Sequence, residues 1–156
     1  MSVQVGQAAP GIELYSEAKE LFKLSDYQGD KNVVLLFFPG AFTSVCTTEL
    51  NTVSNDLADY GADTQVVGIS TDSPFALEEF KKVNGFAFPL LSDHDANVSA
   101  AYGAKFNNDF TPMKFDRISK RAAFVVGKDG NVVYAEVLDN PGEMPDLDAV
   151  KQAANG

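Results

Sequence analysis

The sequence holds one cysteine, Cys46, one histidine, His94, and two arginines, Arg117 and Arg121. A single cysteine forbids an intrachain disulfide, a CxxC redox pair and a multi-cysteine zinc site. One histidine removes most of the remaining Cys/His metal chemistry. What is left is a lone thiol. Thr43 stands three residues before it, where a CxxC oxidoreductase has its partner cysteine. A threonine cannot form a disulfide, but its hydroxyl can donate to or accept from a nearby sulfur or oxygen. An ordinary helix N-cap explains Thr43 or Ser44 equally well. Arg121 carries a permanent charge and five donors in a fixed fork. Beside Cys46 it would favour the nucleophilic thiolate and bind oxygen atoms that gain negative charge. Composition by itself favours a plainer role, a surface ion pair at a strand end. His94 lies in the polar turn SDHDAN. A Cys-His hydrolase requires it to meet Cys46. A histidine flanked by two aspartates before a helix reads instead as exposed and structural.

These residues must be positioned by regular elements. Val33–Phe38 (VVLLFF) is a continuous apolar run ending at Pro39-Gly40, the pattern of a central strand buried on both faces. After the break, Cys46, Leu50, Val53 and Leu57 recur at helical spacing, with Tyr60-Gly61 as the stop. Cys46 then falls in the first turn of a helix. Backbone N–H groups there lack partners and carry the positive end of the helix dipole. The alternative is an inert cysteine on an apolar helix face, packed as a small hydrophobe. Gln65–Ile69 predicts a second strand. Ser73-Pro74 predicts an N-cap and first residue of a helix over about Pro74–Val83, with Phe75, Leu77 and Phe80 as its apolar residues. Ala87–Leu91 predicts a short edge strand and Asp95–Tyr102 a helix. Arg121–Val126 and Val132–Val137, joined by an Asp129-Gly130 turn, predict a hairpin. Asp146–Ala154 predicts a closing helix. The sum is an α/β fold with a mixed central sheet flanked by helices.

At 156 residues and 45% apolar, the chain suits one domain spanning 1–156. Twelve basic against 22 acidic residues give a net charge of −10, which opposes binding to nucleic acid or an anionic membrane. The acidity is uneven: residues 105–128 hold six of the 12 basic side chains, with Asp109 and Asp116 their only acids. Phe37, Phe38, Phe42, Phe106, Phe110 and Phe115 can line an apolar pocket or dimer surface, the first two more simply the core. No apolar run reaches the ~18 residues of a membrane span, and the N-terminal segment lacks a basic and apolar leader, so the cytoplasm is the expected location.

The segment PGAFTSVC, Pro39–Cys46, has the form P-x-x-x-T-x-x-C after an apolar strand, continued by CTTE to Glu49. It resembles the active-site signature of the peroxiredoxins. VGQAAPGIEL, LSDYQGDKNVVLLFF, VVGISTDSPFALEEF, FPLLSD, SAAYGA and RAAFVVGKDGNVVY are similar to further segments of that family in the same order, from about Val5 to Asn155; LSDYQGDKNVVLLFF corresponds to a hairpin and the first central strand. The resemblance implies a thioredoxin-like fold and a thiol-dependent peroxidase with no metal, haem or flavin. It implies that Cys46 is the peroxidatic cysteine and that Thr43 contacts thiolate and peroxide. Pro39 would shield the pocket, Arg121 would activate the thiol and bind peroxide, and Glu49 would support the arginine. Relatives with a resolving cysteine five residues on have it where this chain has Asn51, and the tail to Gly156 holds none. The implied form is therefore one-cysteine, its sulfenic acid reduced by an external thiol: a thioredoxin, a glutaredoxin, a small thiol or a second subunit's Cys46. A homodimer or larger homo-oligomer is implied as well. The missing second cysteine also admits a non-catalytic peroxide sensor on the same fold.

Overall fold

The computed structural model describes residues 3–156. Seven strands and four α-helices follow in the order β1 (Glu13–Tyr15), β2 (Leu21–Lys23), β3 (Asn32–Phe37), α1 (Ser44–Asn55), β4 (Thr64–Ser70), α2 (Pro74–Asn84), β5 (Leu90–Ser92), α3 (Asn97–Ala101), β6 (Arg121–Val126), β7 (Val132–Leu138) and α4 (Leu147–Asn155). The main sheet has the order β5-β4-β3-β6-β7. β3 pairs in parallel with β4, which pairs in parallel with β5; β6 and β7 are antiparallel. The apolar run is thus the middle strand, as its lack of polar alternation predicts.

Alternation along β3 sends Val34 and Leu36 to one side and Val33, Leu35 and Phe37 to the other. The first side packs under α1, α2 and α4 through Leu50, Val53, Leu77, Phe80 and Val150. The second is closed by the N-terminal segment, Tyr102 and Ala104. Gly68 of β4 lies on the first side, where a Cβ would come within 2.8 Å of the Leu90 side chain, so the crossing of β4 and β5 tolerates no larger residue without movement.

Several boundaries shift. α1 ends at Asn55, and Leu57 falls in a separate 3₁₀ turn (Leu57–Tyr60) that ends at Gly61. Phe75, expected on the apolar face of α2, is 70% exposed, whereas Leu77 and Phe80 are fully buried. The proline N1 position lies before the stretch of α2 that faces the sheet. The edge strand starts after Pro89, which lacks a ladder donor, and α3 is a short helix starting at Asn97. The N-terminal hairpin is β1–β2, upstream of the segment that resembles it, because Lys19 adopts a left-handed turn conformation (φ 63°); Leu24–Tyr27 is instead a 3₁₀ turn.

The capping reading at α2 holds: Ser73 Oγ accepts from the Ala76 N–H at 3.3 Å, with Pro74 next. Ser73→Ala should lower stability by ~1 kcal/mol, the usual worth of such a cap, measured as a shift in urea midpoint at constant slope.

Candidate active site

Topology brings the chemistry-bearing residues to one end of the sheet. Phe37, the last residue of β3, pairs with Ile69 near the end of β4 and with Ala122 near the start of β6. The loop leaving β3 and the first residue of β6, Arg121, therefore share an edge. Ala123 and Val125 of β6 belong to the core cluster that contains Cys46, so alternation puts Arg121 on that same face, beneath α1.

On α1, Thr43 is the N-cap residue and Cys46 the third helical residue. The buried positions of α1 are Cys46, Glu49, Leu50 and Val53, a stripe at i, i+3, i+4 and i+7. One polar side chain, Glu49, therefore sits within an apolar stripe beside the thiol. Arg121 reaches both. Its Nη1 donates to Cys46 Sγ at 3.2 Å and to Glu49 Oε1 at 2.8 Å, and its Nη2 donates to the Pro141 carbonyl at 2.9 Å. Cys46 and Glu49 are fully buried and Arg121 is 1% exposed. The surface ion pair that composition favours is replaced by a buried triad. A guanidinium permits this because one planar fork serves three acceptors at once.

The electrostatics follow from one cation facing two acidic groups. Burial raises the Glu49 carboxyl to about 7, against the lowering effect of Arg121, with Glu136 adding repulsion. Glu49 Oε2 is buried without a hydrogen-bond partner, so nothing on that side compensates an ionised form. Burial opposes the charge of Arg121, but Cys46 and Glu49 outweigh it and raise its pKa. A carboxyl raised on folding holds more protons in the folded than in the unfolded chain. Its contribution to stability is thus full below the unfolded value of 4.5 and is lost as pH rises towards about 7. Glu49→Gln should remove that component, leaving a flatter profile over this window in denaturant titrations at several pH values.

The loop before α1 completes the site. Pro39 is buried. Thr43 is exposed, and its hydroxyl donates to the Gly40 carbonyl at 2.8 Å rather than capping the helix. Phe42, 56% exposed, has φ 65°, a left-handed conformation rare for an aromatic residue, and meets Phe80 in a tilted ring contact, 5.1 Å between centroids and 56° between planes. His94 is not brought to the thiol. It is exposed in the turn after β5, its carbonyl accepting from Arg117, while Cys46 is buried against Arg121. Sequence periodicity passed over Glu49, although its i+3 relation to Cys46 was the signal that placed it beside the thiol. No sequence signal marked the left-handed Phe42.

No helix among the described residues is long and apolar enough to cross a membrane. The profile of the AhpC/TSA family matches residues 5–135. Alkyl hydroperoxide reductase E of Mycobacterium tuberculosis is 38% identical over 148 residues, 92% of this chain and 91% of the relative. Peroxiredoxin Bcp of Bacillus subtilis is 31% identical over 135 residues, 85% and 84% of the two chains. The crystal structure of peroxidoxin BcpB from Mycobacterium tuberculosis superposes with a TM-score of 0.84 at 27% identity, covering 98% of this chain and 97% of the other. With its thioredoxin-like sheet and its lone thiol held against a buried arginine at the start of α1, this chain belongs to the AhpC/TSA family, the peroxiredoxins, in a form with one cysteine.

Proposed function

We propose that the protein is a thiol-dependent peroxidase in which Cys46 is the peroxidatic cysteine and Arg121 its activating cation. The observation that carries this reading is the Arg121 Nη1 contact to Cys46 Sγ inside a buried site at a helix start. The Cys46 thiolate attacks one oxygen of a hydroperoxide. An S–O bond forms as the O–O bond breaks, sulfur loses two electrons, and the departing oxygen takes a proton to leave as water or an alcohol. Charge gathers on that oxygen in the transition state, where donors aimed at it lower the barrier more than they stabilise the bound substrate. Arg121 and the amides at the start of α1 are such donors. Thr43, already donating to Gly40, has lone pairs free to accept the hydroperoxide O–H. Pro39 walls the pocket against water, and Glu49 holds the guanidinium over the sulfur.

The sulfenic acid is then reduced by two external thiol groups, which end as a disulfide with release of water. Hydrogen peroxide and organic hydroperoxides are the substrate class, and a thioredoxin, a glutaredoxin or a small thiol is the reductant. A cytoplasmic homodimer or larger homo-oligomer completes the reading, with sedimentation as its check. Stopped-flow mixing of reduced protein with hydrogen peroxide tests the central claim. Oxidation of Cys46 at several orders of magnitude above a free cysteine thiolate is expected; a rate equal to the free thiolate would refute it. Steady-state turnover with a panel of thiols separates the peroxidase from a sensor, which would accumulate sulfenic acid without turning over.

A further inference from the structure

Arg121 is one cation facing two acids, Cys46 and Glu49, and all three side chains are buried. Both acids draw on the same donor atom: Nη1 serves Cys46 Sγ at 3.2 Å and Glu49 Oε1 at 2.8 Å, while Glu49 Oε2 has no hydrogen-bond partner. The surrounding charges do not support a second anion. Glu136 of β7 repels the Glu49 carboxylate; its own Oε1 accepts from the Tyr134 hydroxyl at 2.7 Å and from the Asp146 N–H at 2.9 Å. Tyr60, in the turn after α1, has a buried hydroxyl without a partner, its pKa raised by burial and then by Asp56, Glu49, Asp148 and Asp59. Lys151 of α4 lies over the Tyr60 ring, 5.8 Å from its centroid, and is engaged by Asp56 at 3.1 Å. One guanidinium in this interior can therefore balance one anion. A second would be a buried charge without compensation, the arrangement that burial penalises most.

We propose that Cys46 and Glu49 share one proton across the Arg121 fork: Glu49 holds it while sulfur is the thiolate and gives it up when sulfur is oxidised. Its place in a catalytic cycle rests on the peroxidase reading above. Glu49 touches neither sulfur nor peroxide. It is a positioning residue that acts through the guanidinium, and its charge changes in step with that of sulfur. The proton sits on Oε2, because Oε1 accepts from Arg121. A carboxyl that burial has raised to about 7 exchanges a proton in the range this requires. In the reduced site a thiolate and a neutral carboxyl face the cation. Attack forms the S–O bond and breaks the O–O bond, sulfur loses two electrons, and the departing oxygen takes up one proton. Sulfenic sulfur is neutral and no longer balances Arg121, so Glu49 ionises, and the proton it releases matches the one consumed. Reduction by two thiols reverses the exchange. Sulfur regains two electrons, the thiols end as a disulfide, one of their protons completes the departing water and the other returns to Glu49. The cation faces one anion at the start and end of each half-reaction.

The test counts protons. Reduced protein in weakly buffered solution at pH 8 is mixed with one equivalent of hydrogen peroxide, and a pH-indicating dye reads the protons taken up per sulfur oxidised. This pH lies above the Glu49 value of about 7, so the carboxyl of the oxidised site is ionised. A thiolate that becomes a sulfenic acid by itself draws one proton from solvent. The parent should draw close to none, because Glu49 releases one at the same time. Glu49→Gln keeps the size and an acceptor for Arg121 but has no acid proton, and should draw close to one. Infrared difference spectra, oxidised minus reduced, should show a protonated carboxyl band lost and a carboxylate band gained in the parent, and neither in Glu49→Gln. A carboxylate that only props the guanidinium stays ionised throughout, so the parent would draw one proton with no carboxyl change. That result, a parent spectrum without loss of the carboxyl band, or a Glu49→Gln protein that draws close to none overturns the proposal. If Glu49→Gln does not fold, the parent's proton count and spectrum decide. Parent protein oxidised no faster than a free thiolate would remove the peroxidase reading alone, because the proton count and the carboxyl band still report the pair.

Discussion

Cys46→Ser is expected to reduce peroxide turnover to the uncatalysed background with every thiol donor. The reaction needs an atom that is a strong nucleophile at neutral pH and that can then carry an oxygen as a reducible S–OH. A serine hydroxyl fails both conditions. It is essentially un-ionised at neutral pH, and attack on a peroxide would create another weak O–O bond. With no second cysteine in the sequence, no other side chain can substitute. The fold should survive, because the serine oxygen can still accept from Arg121 Nη1, so the buried guanidinium keeps three acceptors. A stability loss of no more than ~1–2 kcal/mol is expected, read from a denaturant midpoint. Residual turnover above background in a folded Cys46→Ser protein would place the chemistry elsewhere.

Arg121→Ala should be the next most damaging change, through rate and stability together. Oxidation of Cys46 should fall by about 10²–10³, the usual cost of removing one preorganised donor from a developing anion. Stability should fall as well. Truncation strips the fully buried Glu49 of its ion pair and the part-buried Pro141 carbonyl of its donor. Breaking a buried pair costs about 3–5 kcal/mol when the remaining charge stays ionised. Glu49, already raised to about 7, can take a proton instead, so the loss should be smaller at pH 5 than at pH 8. Arg121→Lys keeps the charge but replaces the fork with a single ammonium that cannot hold the sulfur, Glu49 Oε1 and the Pro141 carbonyl in one plane. It should recover stability more than rate. Stopped-flow oxidation and urea denaturation at both pH values separate the two effects. An Arg121→Ala protein that oxidises Cys46 at the parent rate would show that the guanidinium is structural.

Much of the frame was legible because burial leaves a periodic trace. The six-residue apolar run reads as a strand covered on both faces, and Val33 to Phe37 of it lie in the middle strand. Ser73-Pro74 and Asp129-Gly130 are local devices whose backbone consequences do not depend on distant contacts, and both are where sequence reading puts them. The misreadings share a cause. Leu57, Phe75 and Pro89 sit at element ends, where side chains follow neighbouring segments rather than their own period.

The sequence by itself determined the reagent. One cysteine at the start of a predicted helix, after a buried strand and within P-x-x-x-T-x-x-C, left lone-thiol chemistry and excluded internal disulfide exchange. Only the tertiary structure decided its environment. Arg121 lies 75 residues from Cys46 in the chain and 72 from Glu49. Neither separation has a period that sequence patterning can read. Strand order made both contacts: β6 beside β3 delivers the guanidinium beneath α1. Burial then changed what these groups are worth, because a charge shielded from water acts on its neighbours at far higher strength than the same charge on a surface.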